Sequence, residues 1–207
     1  AILRSHGGRV RAVESGEVHI DVAFIGAPTS DCYGNARGKG GKSDCGVLSY
    51  AMVDAKYADK VVVITDTLVD FPNFPPSIEA VDVDYVVVVD EIGNPKKIAS
   101  AAARMTQNPR DLMMAEMCAK VMAATEYFKD GFSFQTGAGA IAIATTKYLA
   151  DRMREHGVKA SFALGGIPAA IIDMYDEGLV RAVECSQSFD AVAASAISTR
   201  PGVVEID

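Results

Sequence analysis

Apolar and polar positions follow two rhythms along this chain. Residues 18–25 (VHIDVAFI) alternate loosely and predict a strand that Gly26 and Pro28 end. Residues 60–65 (KVVVIT) and 85–89 are β-branched runs of the kind found in strands buried on both faces. Helical spacing marks residues 47–58, whereas residues 31–46 (DCYGNARGKGGKSDCG) read as a loop on composition alone. Pro72, Pro75 and Pro76 force residues 70–77 to be extended or turning.

Beyond residue 107 the rhythm becomes more regular. Asn108 can cap a helix, Pro109 fits its first position, and Asp111 places a carboxylate in the first turn. That helix is predicted through Leu112, Ala115, Ala119 and Met122 to about residue 128, with Gly131 to stop it. A strand at 132–136 then precedes Gly137-Ala138-Gly139 and a helix to about His156. A strand at 159–163 precedes Gly165-Gly166 and a helix with Pro168 near its start. A strand at 179–185 precedes Ser186-Gln187-Ser188 and an Ala-rich helix to about Ile197. Three consecutive strand–loop–helix units with short connections imply parallel strands and right-handed crossovers. The charged, Pro-containing stretch 93–108 is the best boundary between two α/β halves, giving domains at 1–107 and 108–207.

Composition then limits what such a chain can be. Its 207 residues are 49% hydrophobic, enough for a proper core, so a disordered chain is excluded. Twenty Lys and Arg against 27 Asp and Glu leave a net charge of −7, and no basic block argues for nucleic acid or an anionic membrane. Cys32, Cys45, Cys118 and Cys185 form no C-x-x-C pair, and His6, His19 and His156 are scattered, so no metal site is expected. A disulfide scaffold is implausible at this density, and a reducing cytoplasm is the natural compartment. No apolar run spans a bilayer, and residues 1–11 lack the apolar core of a secretory signal. The abrupt start without Met reads as a fragment or a processed chain.

In doubly wound sheets ligands bind beyond the carboxyl ends of the strands. Two such junctions are glycine-rich here: Gln135-Thr136-Gly137-Ala138-Gly139 and Leu164-Gly165-Gly166-Ile167. Glycine lets a ligand approach the backbone, and free amides at a helix start favour negative charge or a developing oxyanion. The bland alternative is that these glycines only permit tight turns and close packing. Neither loop is a nucleotide signature: position 142 is Ala where G-x-G-x-x-G needs glycine, and Ala36 breaks the spacing of a Walker loop before Gly41-Lys42-Ser43. Gly34-Asn35 with Asp31 form a turn or a binding loop, and Lys39 and Lys42 make its tail suited to an anion or simply solvated. Cys32 has no His near in sequence to activate it. Asp90-Glu91 end a strand run, where carboxylates act or merely face solvent. Met113, Met114, Met117 and Met122 at helical spacing suggest core packing.

Taken together, the motifs resemble the citrate lyase α-subunit family. The resemblance is carried by His6-Gly7-Gly8-Arg9, Glu14-Ser15-Gly16, Asp21-Val22-Ala23-Phe24-Ile25, Asp31-x-x-Gly34-Asn35, Thr65-Asp66-x-Leu68-Val69 and Val83-Asp84-Tyr85-Val86-Val87. The runs from Asp130 to Gly139 and from Ser161 to Ile167 are the most specific, and the match holds until about Ile197. Departures are Ala140 in place of a third glycine, Pro168 where Thr is usual, Cys185-Ser186-Gln187 for acidic-x-Gln, and the terminal nine residues.

This resemblance implies an α/β fold of mostly parallel sheets with helices on both faces, coenzyme A transferase-like, in two partial related domains. It implies a transferase that exchanges acetyl for citrate on an acyl-carrier-protein thioester, giving citryl-thioester and acetate. The implied partners are a citrate lyase β subunit and a carrier γ subunit in a cytoplasmic oligomer. The carrier would hold a phosphopantetheine-type prosthetic group, with no cofactor on this chain. Many coenzyme A transferases carry a catalytic glutamate near the second glycine junction. Phe162, Ala163 and Leu164 stand there instead, so the resemblance points to direct attack by the citrate carboxylate. Gly137, Ala138, Gly139 and Gln135 would then cradle the thioester, Gly165, Gly166 and Ile167 would form an opposing wall, and Gly34 and Asn35 would shape the cleft. The residues leave two alternatives open: a transferase or hydrolase acting on another carboxylic acid, and a silent fragment that only binds its partners.

Overall fold

A computed structural model describes residues 3–98 and 104–206. The chain divides into two compact units, Ala1–Pro95 and Lys96–Ile206. Residues 99–103, inside the stretch expected as the boundary, lie outside the described residues.

The first unit is built on three parallel strands, β1 (Val22–Gly26), β4 (Lys60–Thr65) and β5 (Tyr85–Val88), in the order β1-β4-β5. A short antiparallel pair, β2 (Thr29–Ser30) and β3 (Ala36–Arg37), stands beside them. Helix α2 (Tyr50–Tyr57) connects β3 to β4, and α1 (His6–Glu14) packs on α2. Ser5 caps α1 by accepting a hydrogen bond from the Gly8 amide, and the Arg9 guanidinium reaches Asp54 of α2 with two bonds of 2.7 and 2.8 Å. Two adjacent glycines hide the helical signal of α1 in the sequence.

Register decides which strand positions meet the core. Ala23 pairs with Val61 and Ile25 with Val63, and all four are buried. Their neighbours Val22, Phe24, Tyr85 and Val87 share the opposite face and remain 43, 70, 60 and 43% exposed. Of the two strands predicted to be buried on both faces, β4 is buried on one and β5 has no buried residue. Continuous β-branched runs report strand-forming tendency but not which face has a partner.

Tight turns fix the loop after β1. Asp31, fully buried, accepts hydrogen bonds at Oδ1 from the amides of Tyr33, Gly34 and Asn35 at 3.0–3.1 Å. Its Oδ2 accepts from Asn35 Nδ2 at 2.7 Å and from the Asn73 amide at 3.0 Å. Gly34 takes φ 103°, and a Cβ there would lie 2.6 Å from Val83. Burial alone pushes the Asp31 carboxyl upward, but the bonds from Asn73, Asn35 and Tyr33 outweigh it and hold the group below its ordinary value.

The second unit carries β6 (Ser133–Gln135), β7 (Ala160–Ile167), β8 (Val180–Ser188) and β9 (Val203–Glu205), all parallel and in sequential order. Helices α4 (Ala140–His156), α5 (Ala169–Asp176) and α6 (Ala191–Thr199) make the crossovers. Helix α3 (Pro109–Ala123) packs on α4 through Ala115 and Ala119, both fully buried. Its start is as predicted, with Asn108 accepting from the Arg110 amide at 2.9 Å. It ends at Ala123 rather than near 128, because Thr125 Oγ1 turns back to the Met122 carbonyl. Of the methionine stripe, Met113, Met114 and Met117 are 63, 43 and 53% exposed and only Met122 is half-buried, since the alanine side of the helix meets α4. Among the described residues no helix is long and apolar enough to cross a membrane.

The largest correction concerns the second glycine junction. Gly165 and Gly166 do not form a loop; β7 continues through them to Ile167, paired with β8 across a register shift between the two glycines. Likewise β8 runs through Cys185, Ser186 and Gln187 to Ser188. A bulge keeps the ladder intact where a glycine pair reads as a breaker.

Two stability measurements follow from this backbone. Ser49, at φ 49° and ψ −121° before α2, occupies a conformation that suits glycine. Ser49→Gly is expected to raise the urea midpoint, by about 1 kcal/mol of stability; an unchanged or lower midpoint contradicts the strain. Asp31→Asn is expected to cost about 3 kcal/mol at neutral pH, because its carboxamide keeps one acceptor oxygen and sets an NH2 against the Asn35 Nδ2 and Asn73 amide donors. The folded Asp31 carboxyl titrates below 3.8, so its contribution is present above that pH and fades as pH falls through the folded value. The gap between wild type and variant should therefore narrow only in acid, and a gap that is constant down to pH 2 would count against it.

Candidate functional site

The loop carrying Gly34 and Asn35 is committed to its own structure. Asn35 Nδ2 donates to Asp31, its Oδ1 accepts from the Ala80 amide at 3.0 Å, and its carbonyl accepts from Asn73 Nδ2 at 3.0 Å. Asn73, distant in sequence, is the partner that spacing could not supply. Lys42 Nζ donates to the Asp90 carbonyl at 2.8 Å, so the basic tail is tied to the end of the β5 strand run. Asp66, also buried, accepts from Ser43 Oγ, the Ile92 amide and Thr67 Oγ1. Burial raises its pKa, yet the Ser43 and Ile92 bonds prevail and leave it lowered. These carboxylates brace loops and are not poised to exchange protons near neutral pH.

Among the cysteines, Cys32 is exposed and Cys185 is buried in β8. Burial pushes the Cys185 thiol up to about 11, against a weak contact with Ser188 Oγ at 3.7 Å, which makes it a poor nucleophile. His19, Asp21 and Asp59 come within 4.8 Å of one another, all exposed, with His19 Nε2 3.0 Å from Asp59 Oδ2. The β1–β4 pairing brings Asp59 there, an arrangement invisible in the linear spacing.

In the second unit the carboxyl ends of the strands distinguish three helix starts. Asp190 closes two of them with one side chain. Its Oδ2 accepts from the Ala169 amide of α5 at 2.7 Å, and its Oδ1 accepts from the Ala193 amide of α6 at 2.9 Å. Gly139, the residue before α4, has no side chain to cap that helix. A Cβ at Gly139 would meet nothing within 4 Å, so the backbone there is open. Thr136 Oγ1, just before it, is buried without a hydrogen-bond partner among the described residues. Uncapped amides, an open glycine and an orphaned hydroxyl within four residues fit an acyl or carboxylate oxygen. The residues present thus suit the thioester end of a pantetheine-type arm.

The other predicted wall is different in kind. Ile167 is 1% exposed and belongs to the core. A Cβ at Gly166 would fall 2.0 Å from the Phe189 ring, so this glycine seats an aromatic side chain. Gly165, at φ 101°, lies under the side chain of Gln135, whose Nε2 would be 2.7 Å from a Cβ there. Gln135 ends β6 and is exposed, in register with Leu164, which is paired in turn with Glu184 of β8. The two glycine segments thus share the carboxyl end of one sheet, the first through open amides and the second through the side chains it accommodates.

The family model for citrate lyase, alpha subunit (CitF), matches residues 1–207. Citrate lyase alpha chains of Haemophilus influenzae and Klebsiella pneumoniae are each 50% identical over 204 residues, covering 99% of this chain but 41 and 40% of theirs. The chain therefore spans about two-fifths of the length of the curated relatives it matches. A crystal structure described as the alpha subunit of citrate lyase in complex with citrate, from Streptococcus mutans, superposes with a TM-score of 0.93 at 52% identity, covering 99% of this chain and 40% of that one. A 4-hydroxybutyrate CoA-transferase from Porphyromonas gingivalis shares the fold at a TM-score of 0.63 and 16% identity, covering 100% of this chain and 49% of that one. The family model and the two curated relatives agree with the motif order in the sequence: the chain belongs to the citrate lyase alpha-subunit family.

Proposed function

We propose that this chain is the acyl-exchange part of a citrate lyase α subunit, replacing acetyl by citrate on a carrier-bound thioester. The observation that carries this reading is the uncapped, open start of α4 beside the orphaned Thr136 hydroxyl, in a chain of this family. The pantetheine-type thioester, when bound, supplies the acyl group and a sulfur leaving group. Amides at Gly137, Ala138 and Gly139 and the α4 start would donate hydrogen bonds to its oxygen, which gains charge as the carboxylate attacks. Gln135, the last residue of β6, would be the polar side chain next to it. Gly165 and Gly166 support this region through Gln135 and Phe189, while Gly34 and Asn35 hold their loop in shape rather than touch citrate.

The exchange balances without a protein relay. A citrate carboxylate oxygen bonds to the acetyl carbon as the carbon–sulfur bond breaks; the thiolate then bonds to the citryl carbon as acetate leaves. Phe162, Ala163 and Leu164 offer no carboxylate for an anhydride. Glu184 of β8 stands in register with Leu164 and is the carboxylate to test as a relay. The partners proposed for the full α subunit are a β subunit that cleaves citryl-thioester and a γ carrier subunit bearing the prosthetic group, in a cytoplasmic oligomer.

The full-length α subunit, given labelled acetyl-thioester carrier, should release acetate only when citrate is present. Release independent of citrate, or none, would overturn the reading. Gly139→Asp should leave the melting temperature unchanged or slightly higher, since aspartate caps helices well, while lowering exchange at least roughly 10-fold by occupying the amides. Glu184→Gln should retain the rate within about three-fold, with no loss of activity on borohydride treatment of the acylated enzyme. Borohydride inactivation of the wild type that Glu184→Gln abolishes would show a glutamyl relay instead.

A further inference from the structure

We infer that Gly165 acts in catalysis by what it lacks: its missing side chain seats the Gln135 carboxamide as a fixed hydrogen-bond donor to the thioester oxygen. This rests on the exchange reading above. Gln135 lies across the Cα of Gly165, with Cγ, Cδ and Nε2 at 3.3, 3.2 and 2.7 Å from the position a Cβ would take. A β-carbon cannot share that space with the amide. The bulge between Gly165 and Gly166 and the φ of 101° turn the missing substituent toward β6. Any L residue at 165 would be strained there and would also displace Gln135.

The Gln135 side chain has the features of a group held for a ligand. It is exposed at the carboxyl end of β6, and no hydrogen bond engages its carboxamide among the described residues. An exposed glutamine normally samples several rotamers, at an entropic cost when a substrate must order it. The side chain lies over Gly165 with its carboxamide end closest to the glycine, a placement that the missing Cβ permits. It stands four residues before Gly139, at the same end of the sheet as the α4 amides. Its N–H donors are neutral, so they can follow charge onto the acyl oxygen without fixing the attacking carboxylate itself. Each of the two carbonyl carbons in the exchange develops that charge in turn, and one donor in this position serves both steps. Gln135 is thereby a catalytic residue and Gly165 a positioning residue.

The test is a double-mutant cycle in the full-length α subunit, with citrate-dependent acetate release from acetyl-thioester carrier as the readout. Gln135→Ala and Gln135→Glu should each lower kcat roughly 100-fold with KM for the thioester within about three-fold. Gln135→Glu keeps the shape but removes the donor, so equal losses assign the effect to the N–H. Gly165→Ala should lower kcat to a similar degree, and Gln135→Ala/Gly165→Ala should be no slower than about three-fold below either single variant. Thermal melting of the Gln135 variants should match wild type, which keeps the test decisive even if Gly165→Ala folds poorly. Near-normal kcat in Gln135→Ala, full activity of Gln135→Glu, or losses that multiply in the double variant would each overturn the inference. Wild-type protein that releases no acetate in response to citrate would instead refute the exchange reading on which it depends.

Discussion

One carboxylate sets the polarity of the second unit's strand ends. Asp190 accepts from both the Ala169 and Ala193 amides, so one amide at the start of each of α5 and α6 is bonded by the protein itself. Among the described residues the α4 start receives no such side-chain partner, and Gly139 has no side chain to offer. Parallel sheets bring several helix starts to one end, and each presents unsatisfied amides with partial positive charge. If all were capped the region would be inert; if none were, an anion would have no preferred place. The single asymmetry gives direction to the site.

The glycines divide along the same line. Gly139 is open, whereas Gly165 and Gly166 are covered by Gln135 and Phe189. In the first unit Gly34 is required by its left-handed φ and by Val83, and the Asp31 network around it uses the functional groups of Asn35 for structure. Glycine thus appears in three roles within one chain: exposing backbone, admitting a neighbouring side chain, and permitting a turn. The family resemblance treats them alike, and only packing separates them.

Much of the fold was legible because it rests on local rules. The Asn108–Pro109–Asp111 start of α3, the β4 run and the alternation of strands with helices after residue 130 follow from capping and periodicity. What was not legible depends on partners far along the chain. The extension of β7 through Gly165 and Gly166 depends on pairing with β8, and the outward methionines of α3 on which side meets α4. Motif order pointed to the family and to the first glycine segment. It could not reveal that Asp190 closes two helices, that Asn73 completes the Asp31 network, or that Gln135 rests on Gly165, since each contact joins segments separated by 21 to 42 residues or by a strand crossover.

The most direct measurement is backbone amide NMR of the isotope-labelled α subunit titrated with an acetyl-pantetheine thioester analogue. An open α4 start predicts that the Gly137, Ala138, Gly139 and Ala140 resonances move with saturable binding while Ala169 and Ala193, already bonded to Asp190, stay in place. Saturable shifts confined to Ala169 and Ala193, with the residues before α4 unmoved, would contradict it.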